Sequence, residues 1–382
     1  MVSLKFFGFL ILALAPYWLI PKQAMRNIFL GLISMAYLYL LDSNAAIMTA
    51  CLSVFTYSMG RLLHTVKLKG LVHGISVILV LGVLVFFKYL GMFNGVLGSL
   101  AGFVDGLPVF NISKLILPLG LSYIVFKHIS YLTDIKWGLV QPGRFIDFLV
   151  YSSLFTIFVA GPIERFERLK PQLESSRIPF AWNDLEYGFM RIVFGMVKKL
   201  IFADWLGYLI NPVWQNPHLY SWEIGMLALV GYALQIYFDF AGYSDIAIGA
   251  SRLFGLKIME NFNNPYLAPN ISQFWRRWHI SLSDWIRDYL FFPLSQISSA
   301  RLWTILFVPV IAMALCGLWH GAAWHYVLWG VWHGLGLSVY QIWGNYKRSH
   351  KAVAKAVKGS WFGYTAILMN FSFVTLGWWW FR

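Results

Sequence analysis

Histidines, aspartates and a cysteine set in apolar stretches are the residues of this sequence that could do chemistry. An ionisable side chain at mid-bilayer depth is costly unless it has a partner or a task. Three histidines, His320, His325 and His333, fall within MALCGLWHGAAWHYVLWGVWHG, 313–334, which reads as two apolar helices joined near Gly321. An imidazole titrates near neutrality and moves a proton once a neighbour fixes its tautomer, so His320 is a candidate general base. His325 and His333 read as packing histidines. Cys316 lies four residues before His320 and shares its helical face, the spacing of a cysteine–histidine nucleophilic pair, although a small thiol packed between helices is the commoner use. On a continuous helix His320 and His325 would stand about 140° apart, and no carboxylate falls in the stretch. A two-histidine zinc motif is therefore missing, and no metal is expected.

The second candidate, His279, follows Arg276, Arg277 and Trp278. Two guanidiniums beside an imidazole could clamp a phosphate or carboxylate while the imidazole moves a proton. Charges snorkelling to head groups explain the arginines equally well, but not the histidine. Residues 275–289, WRRWHISLSDWIRDY, space Trp275, Trp278, Leu282, Trp285 and Tyr289 by three and four, with Arg277, Ser281, Asp284 and Asp288 on another face. That pattern predicts one amphipathic helix at the membrane surface or along a polar cleft. In YFDFAGYSD, 237–245, Asp239 and Asp245 lie about 120° apart around a helix, which argues against a paired-carboxylate site, while Tyr237 and Ser244 share a face. The aspartates read as supports that bond neighbouring helices or orient a histidine. NFNNPY, 261–266, and AGPIERF, 160–166, contain helix breakers; Asn261 would satisfy freed backbone groups and Glu164 would pair locally with Arg165.

Residues of this kind need membrane-embedded helices to hold them. The 382-residue chain is 59% hydrophobic and 12% charged, about half the usual charged fraction, which excludes a water-soluble protein. Its 19 Trp, 20 Tyr and 32 Phe suit membrane interfaces and wide intramembrane clefts. Apolar runs at about 4–20, 27–41, 45–60, 72–91, 115–133, 145–161, 187–210, 222–253, 302–318, 322–343 and 360–381 predict ten or eleven helices that cross or re-enter the bilayer. No repeat or linker separates them, so 1–382 reads as a single polytopic domain. Pro16 directly after Ala13-Leu14-Ala15 is a poor context for signal cleavage, and 4–20 reads as a first span. The net charge of +14 fits cytoplasmic loops and anionic lipid rather than nucleic acid. Cys51 and Cys316 supply neither a disulfide framework nor a metal site.

Loop charges alternate at first: Lys22 and Arg26, none in 42–44, then Arg61, Lys67 and Lys69, and only Lys114 in 92–114. This sets the N-terminus outside and the 61–71 loop in the cytoplasm. The alternation breaks because 134–144 and 162–184 are both basic. One resolution is that 115–133, with Pro118, Gly120, Lys127 and His128, or 145–161, ending in Gly161-Pro162, is broken and re-entrant. Irregular backbone at that depth is tolerated only against protein or a wet cavity, and a cavity is expected there.

Taken together the motifs resemble the membrane-bound O-acyltransferases, nearest the bacterial branch of alginate O-acetylase and the D-alanyl transferase of teichoic acid synthesis. The match is collinear: FKYLGMF at 87–93, LPLGLSYIVFKHISYLTDI at 117–135, AGPIERF at 160–166, FDFAGYSDIAIG at 238–249, NFNNPYLAP with FWRRWHISLSDWIRDY at 261–289, and LWHGAAWHYVLWGVWHG at 318–334. The resemblance implies an all-α integral membrane protein of the bacterial cytoplasmic (inner) membrane, its helices ringed around a central funnel. It implies that His320 is the catalytic histidine and His279 the second functional one. Arg276, Arg277, Trp278, Trp319, Asp239, Ser244, Asn261 and Cys316 are then substrate-binding or supporting residues. It also implies no tightly bound cofactor. The donor would be a cytoplasmic thioester such as acetyl-CoA or an acylated carrier protein, and the acceptor a glycan or an extracytoplasmic partner acyltransferase. The chain ends at GWWWFR, 377–382, where alginate-type relatives continue, which leaves acetyl and D-alanyl transfer both open. A proton-relaying transporter or a non-catalytic scaffold are the readings from other classes; the first predicts symmetry between halves that the sequence lacks, and the second predicts that His320 is dispensable.

Overall fold

Long apolar runs leave the backbone only its own carbonyls to bond, so helices form throughout, and no strand occurs among the described residues. The computed structural model describes residues 3–101, 117–357 and 359–382. The 92–114 loop with its Lys114 therefore lies mostly outside the described residues. The chain divides into two compact units, one of residues 1–194 and 243–259, the other of 195–242 and 260–382.

The first unit holds α1 (Leu4–Leu19), α2 (Gln23–Leu41), α3 (Ser43–Thr65), α4 (Lys69–Ala101), α5 (Leu121–Trp137), α6 (Phe145–Ser153), α7 (Phe166–Leu173) and nearly all of α8 (Trp182–Met196). Buried polar side chains pin it. Asn27 donates to Asp147 Oδ1 and to the Leu173 carbonyl, each at 2.8 Å, and Arg144 reaches Asp147 at 2.7 Å. Arg26 is 1% exposed and bonds the Ile178 carbonyl at 2.8 Å. Glu164 does not form the expected side-chain pair with Arg165. Its Oε1 takes the Arg168 guanidinium at 2.9 Å and its Oε2 takes the Met259 N–H at 2.7 Å, so it ties two loops together.

The 145–161 segment is broken, one of the two resolutions that the loop charges left open. Nine residues of helix rise only about 14 Å, half the hydrocarbon thickness, so α6 by itself is too short to cross. The break is satisfied by protein. The Phe155 N–H leaves the helical ladder for Ser34 Oγ at 3.2 Å, and Lys127 Nζ takes the Tyr151 carbonyl at 3.0 Å. A crevice between Ser34, Tyr37, Ser153, Phe155 and Phe158 adjoins it. Lys127 and His128 are thus internal braces, the latter bonded to Thr56 at 3.0 Å.

The second unit holds α9 (Asp204–Gln215), the start of α10 (Trp222–Leu253), α11 (Ile271–Trp275), α12 (Ile280–Ile286), α13 (Phe292–Ser295), α14 (Val308–His320), α15 (Trp324–Ser349), α16 (Lys351–Ala356) and α17 (Ser360–Phe381). Wide π turns precede α9, α13 and α14. Helices α14 and α15 form a hairpin whose backbones nearly touch: a Cβ on Gly317 would strike the Tyr326 carbonyl, and one on Gly330 the Met313 carbonyl. Only glycine permits that approach. Among the described residues five helical stretches are long and apolar enough to cross a membrane: Gln23–Leu41, Ser43–Thr65, Lys69–Asn94, Trp222–Leu253 and Trp303–His320.

Candidate active site

Both candidate histidines lie in the second unit. His320 is the last residue of α14, where the chain turns at Gly321, extended at φ −160°. A side chain at 321 would collide with the Tyr326 ring, so the turn is tight. The half-buried imidazole is held edge-on by three aromatic rings, with centroids at 4.9 Å to Trp319, 5.2 Å to Trp329 and 5.1 Å to Phe381. Gly321 as helix terminator was expected; the clamp of Trp329 and Phe381 was not. Cys316 is buried one turn earlier on the same continuous helix.

His279 does not sit in a helix. The predicted amphipathic helix over 275–289 is interrupted: α11 stops at Trp275, and His279, at φ 41°, caps the start of α12. The left-handed conformation is one that histidine adopts several-fold more readily than most non-glycine residues. The cause is the neighbouring loop. The Asn261 carbonyl accepts from Ile280 N at 2.9 Å, and Asn261 Oδ1 accepts from Ser281 N at 3.2 Å and Ser281 Oγ at 2.7 Å. The Arg277 carbonyl accepts from Asn263 N at 2.9 Å. Those loop bonds outweigh the helical periodicity, and Trp275 and Trp278 leave the face shared by Leu282 and Trp285. Asn261 does satisfy backbone groups, as read, and in doing so it fixes the histidine.

The His279 ring is 1% exposed, stands edge-on to Phe240 at 4.6 Å and lies 6.4 Å from Trp319, which therefore flanks both imidazoles. Its Nε2 has no hydrogen-bond partner among the described residues. Burial, with His320 nearby, holds its pKa well below the ordinary 6.5, so the ring is neutral at physiological pH. A buried neutral imidazole with a nitrogen to spare can donate to, or accept from, one substrate atom.

The remaining predicted residues divide. Trp278 is buried among Phe274, Phe262 and Trp378, with centroids at 5.5, 5.1 and 5.0 Å, and anchors the turn. Arg277 bonds Gln273 at 3.3 Å and the Leu267 carbonyl at 3.4 Å, a structural use, so it and Arg276 do not form one clamp. Arg276 instead lines a cavity of about 460 Å³ with Arg287, Ser272, Ile286, Met313 and Gln341. Met313 lies two turns before His320 on α14, and Ser283, also in the lining, is one turn beyond His279. Asp239 pairs with Lys199 at 2.5 Å, bracing the π turn before α9 rather than either histidine. Ser244 is buried in the first unit. His325 Nδ1 meets the Trp380 carbonyl at 2.8 Å, and His333 is fully buried among Trp275, Trp329 and Phe373. Phe240, in the FDFAG motif, was overlooked; its position one residue after Asp239 was the available signal.

A model of the membrane-bound O-acyltransferase family matches residues 28–376. The chain is 35% identical over 343 residues to a probable alginate O-acetylase of Pseudomonas aeruginosa, covering 87% of this chain and 64% of that protein. It is 31% identical over 301 residues to a peptidoglycan O-acetyltransferase of Helicobacter pylori, covering 72% and 55%. To a teichoic acid D-alanyltransferase of Bacillus subtilis it is 32% identical over 271 residues, covering 68% and 67%. The chain spans about half to two thirds of the length of the curated alginate-type relatives it matches.

Proposed function

From the premise that this chain belongs to the membrane-bound O-acyltransferase family, we propose that it is an inner-membrane enzyme, its two units acting as one domain. It moves an acetyl group from a cytoplasmic thioester to a hydroxyl of a cell-surface polysaccharide, directly or through an extracytoplasmic partner acyltransferase. The observation that carries the reading is the pairing within one unit of a half-buried His320 at a helix end with a buried His279 whose Nε2 is unsatisfied, Trp319 against both rings. His320 takes the proton of the acceptor hydroxyl as its oxygen attacks the thioester carbonyl. The carbon–sulfur bond then breaks, and the proton passes from His320 to the departing thiolate. His279, neutral and donating through a ring N–H, steadies the oxyanion of the intermediate. General base catalysis contributes about 10²–10⁴-fold, and positioning with oxyanion stabilisation supplies the rest. The cavity, lined by Arg276, by an Arg287 paired with Asp284 and by apolar side chains such as Ile286 and Met313, suits the polar arm of a thioester.

Transfer of D-alanine from a carrier protein is the second reading, supported by the likeness to a teichoic acid D-alanyltransferase. Mass spectrometry of surface glycans from cells with wild type, His320→Ala or no protein, at matched membrane levels, decides. An acetyl increment lost in His320→Ala supports the proposal, and an alanyl increment selects the second reading. An increment that survives the substitution refutes the catalytic role of His320, and none in any strain favours a transporter.

A further inference from the structure

Trp319 lies against both candidate histidines. Its ring stands edge-on to His320 with centroids 4.9 Å apart and is tilted against His279 at 6.4 Å. Trp329 and Phe381 pack on His320, and Phe240 packs on His279, but the indole of Trp319 spans from one imidazole to the other. It is 6% exposed, so it sits in close-packed protein rather than at a surface from which it could swing aside. It belongs to the last turn of α14, immediately before the tight joint at Gly321.

The reaction proposed above, on which this inference rests, places the thioester carbonyl carbon between the two imidazoles. Its oxygen faces His279, and the attacking hydroxyl comes from the side of His320. The sulfur leads back to the cavity assigned to the donor arm. Met313 in that cavity and His320, two turns apart, share a face of α14, so an arm that passes Met313 arrives at His320. Trp319 is about 100° round the helix from His320 and is not in the cavity lining. A thioester carbonyl is planar, with oxygen, sulfur and acyl carbon pointing three ways. With oxygen on His279 and sulfur on the Met313 side, the acyl carbon is left facing the indole. We infer that Trp319 is the specificity-determining residue of the acyl site, a wall that leaves room for the methyl of acetyl and excludes longer groups by collision. Alanyl is acetyl with a methyl and an ammonium added, so the same wall favours acetyl over D-alanyl.

The test supplies deuterated acetyl-pantetheine and butyryl-pantetheine, whose arm is common to coenzyme A and carrier-protein donors, at equal concentration to washed, permeabilised cells with matched protein. Mass spectrometry counts each acyl increment on the surface polysaccharide. Wild type should transfer acetyl at least about 100-fold faster than butyryl, each methylene without room costing about 10–200-fold. In Trp319→Ala the vacated apolar space takes the added methylenes, so the butyryl-to-acetyl ratio should rise at least about 10-fold even as acetyl transfer slows. Trp319→Phe, which shortens the wall by one ring, should fall between. Trp329→Phe loosens the clamp on His320 and should slow both donors with the wild-type ratio, the result that a merely structural role of Trp319 would also give. Size-exclusion profiles establish that each variant is folded, and Trp319→Phe decides if Trp319→Ala is not. An unchanged ratio in a Trp319 variant that still transfers acetyl, or an equal rise in Trp329→Phe, overturns the inference and leaves the proposed function standing. Folded Trp319 variants that transfer neither group assign the indole to holding the imidazoles and overturn it too. No increment from either donor in wild type refutes the proposed function, and the inference with it.

Discussion

Removing the side chain of Asn261 should cripple the enzyme without touching either histidine. Its Oδ1 accepts two bonds from Ser281, the N–H at 3.2 Å and the hydroxyl at 2.7 Å, and both residues are fully buried. In Asn261→Ala the two donors lose this acceptor inside the protein, at about 1–3 kcal/mol per unsatisfied group. The hydroxyl can rotate toward another acceptor, so the total is set at about 2–3 kcal/mol. The strain falls on the turn that holds His279 at φ 41°, and a shift of about 1 Å at a catalytic group costs on the order of 10²-fold. The expected outcome is a Tm lowered by several degrees and a transfer rate near one hundredth of wild type, with the donor KM little changed. Rates are read as acyl increments on the polysaccharide over time, in membranes with matched protein. Ser281→Ala removes only the hydroxyl donor and should cost about 1 kcal/mol. The double variant should be less than additive, since the hydroxyl whose Asn261 acceptor is removed is then gone as well. Strict additivity, or an Asn261→Ala protein with wild-type Tm and rate, would refute the argument that this amide positions His279.

The same turn yields a cleaner separation of fold from chemistry. Asparagine tolerates positive φ, so His279→Asn should melt within a few degrees of wild type near pH 7 and yet transfer acyl groups at least about 100-fold more slowly; near-normal transfer would remove His279 from the mechanism. The variant also reports on proton linkage. Because the folded imidazole has its pKa depressed by burial below 6.5, its contribution to stability is whole above pH 6.5 and is lost as pH falls toward the folded value. Melting curves between pH 7 and 5 should therefore fall more steeply for wild type than for His279→Asn, and parallel curves would contradict the assignment. Gly330→Ala, whose methyl would overlap the Met313 carbonyl across the hairpin, should cost about 3 kcal/mol or more, seen as early aggregation in heated size-exclusion runs; an unchanged profile would mean that the helices are not in close contact.

What the sequence disclosed and what it withheld follow from the range of the forces involved. The helices and the joint at Gly321 are local consequences of apolar runs and of glycine, and both were legible; that one of two segments is broken was legible from the loop charges, but its place after Ser153 is set by a tertiary bond to Ser34. The helix predicted over 275–289 failed because a side chain and a backbone carbonyl at position 261 compete for its amides, a tertiary bond that periodicity cannot register. Of the two supporting uses open to Asp239, bonding a neighbouring helix or orienting a histidine, the structure takes the first, through Lys199, a choice made by packing around a π turn. Irregular backbone at depth is tolerated against protein or a wet cavity; at the broken helix protein serves, with Lys127 taking the freed Tyr151 carbonyl, a tertiary pairing that the sequence pattern does not carry. Trp329 and Phe381 belong to different helices from His320, so their clamp could not be read from spacing along one of them.

The glycine seam between α14 and α15 also bears on how the protein is made. Helix α14 with its preceding turn is apolar enough to enter a bilayer alone, whereas α15, carrying His325 and His333, is not among the stretches that are. Joined by three residues and fitted backbone to backbone, the pair should leave the translocation machinery as one unit, α14 drawing its more polar partner in and shielding it from lipid. We expect α15 expressed behind a neutral leader to fail to insert and the α14–α15 pair to succeed, with an α15 that inserts alone as the contrary result. Assembly of the histidine-bearing end would then be decided during synthesis, before any substrate is met.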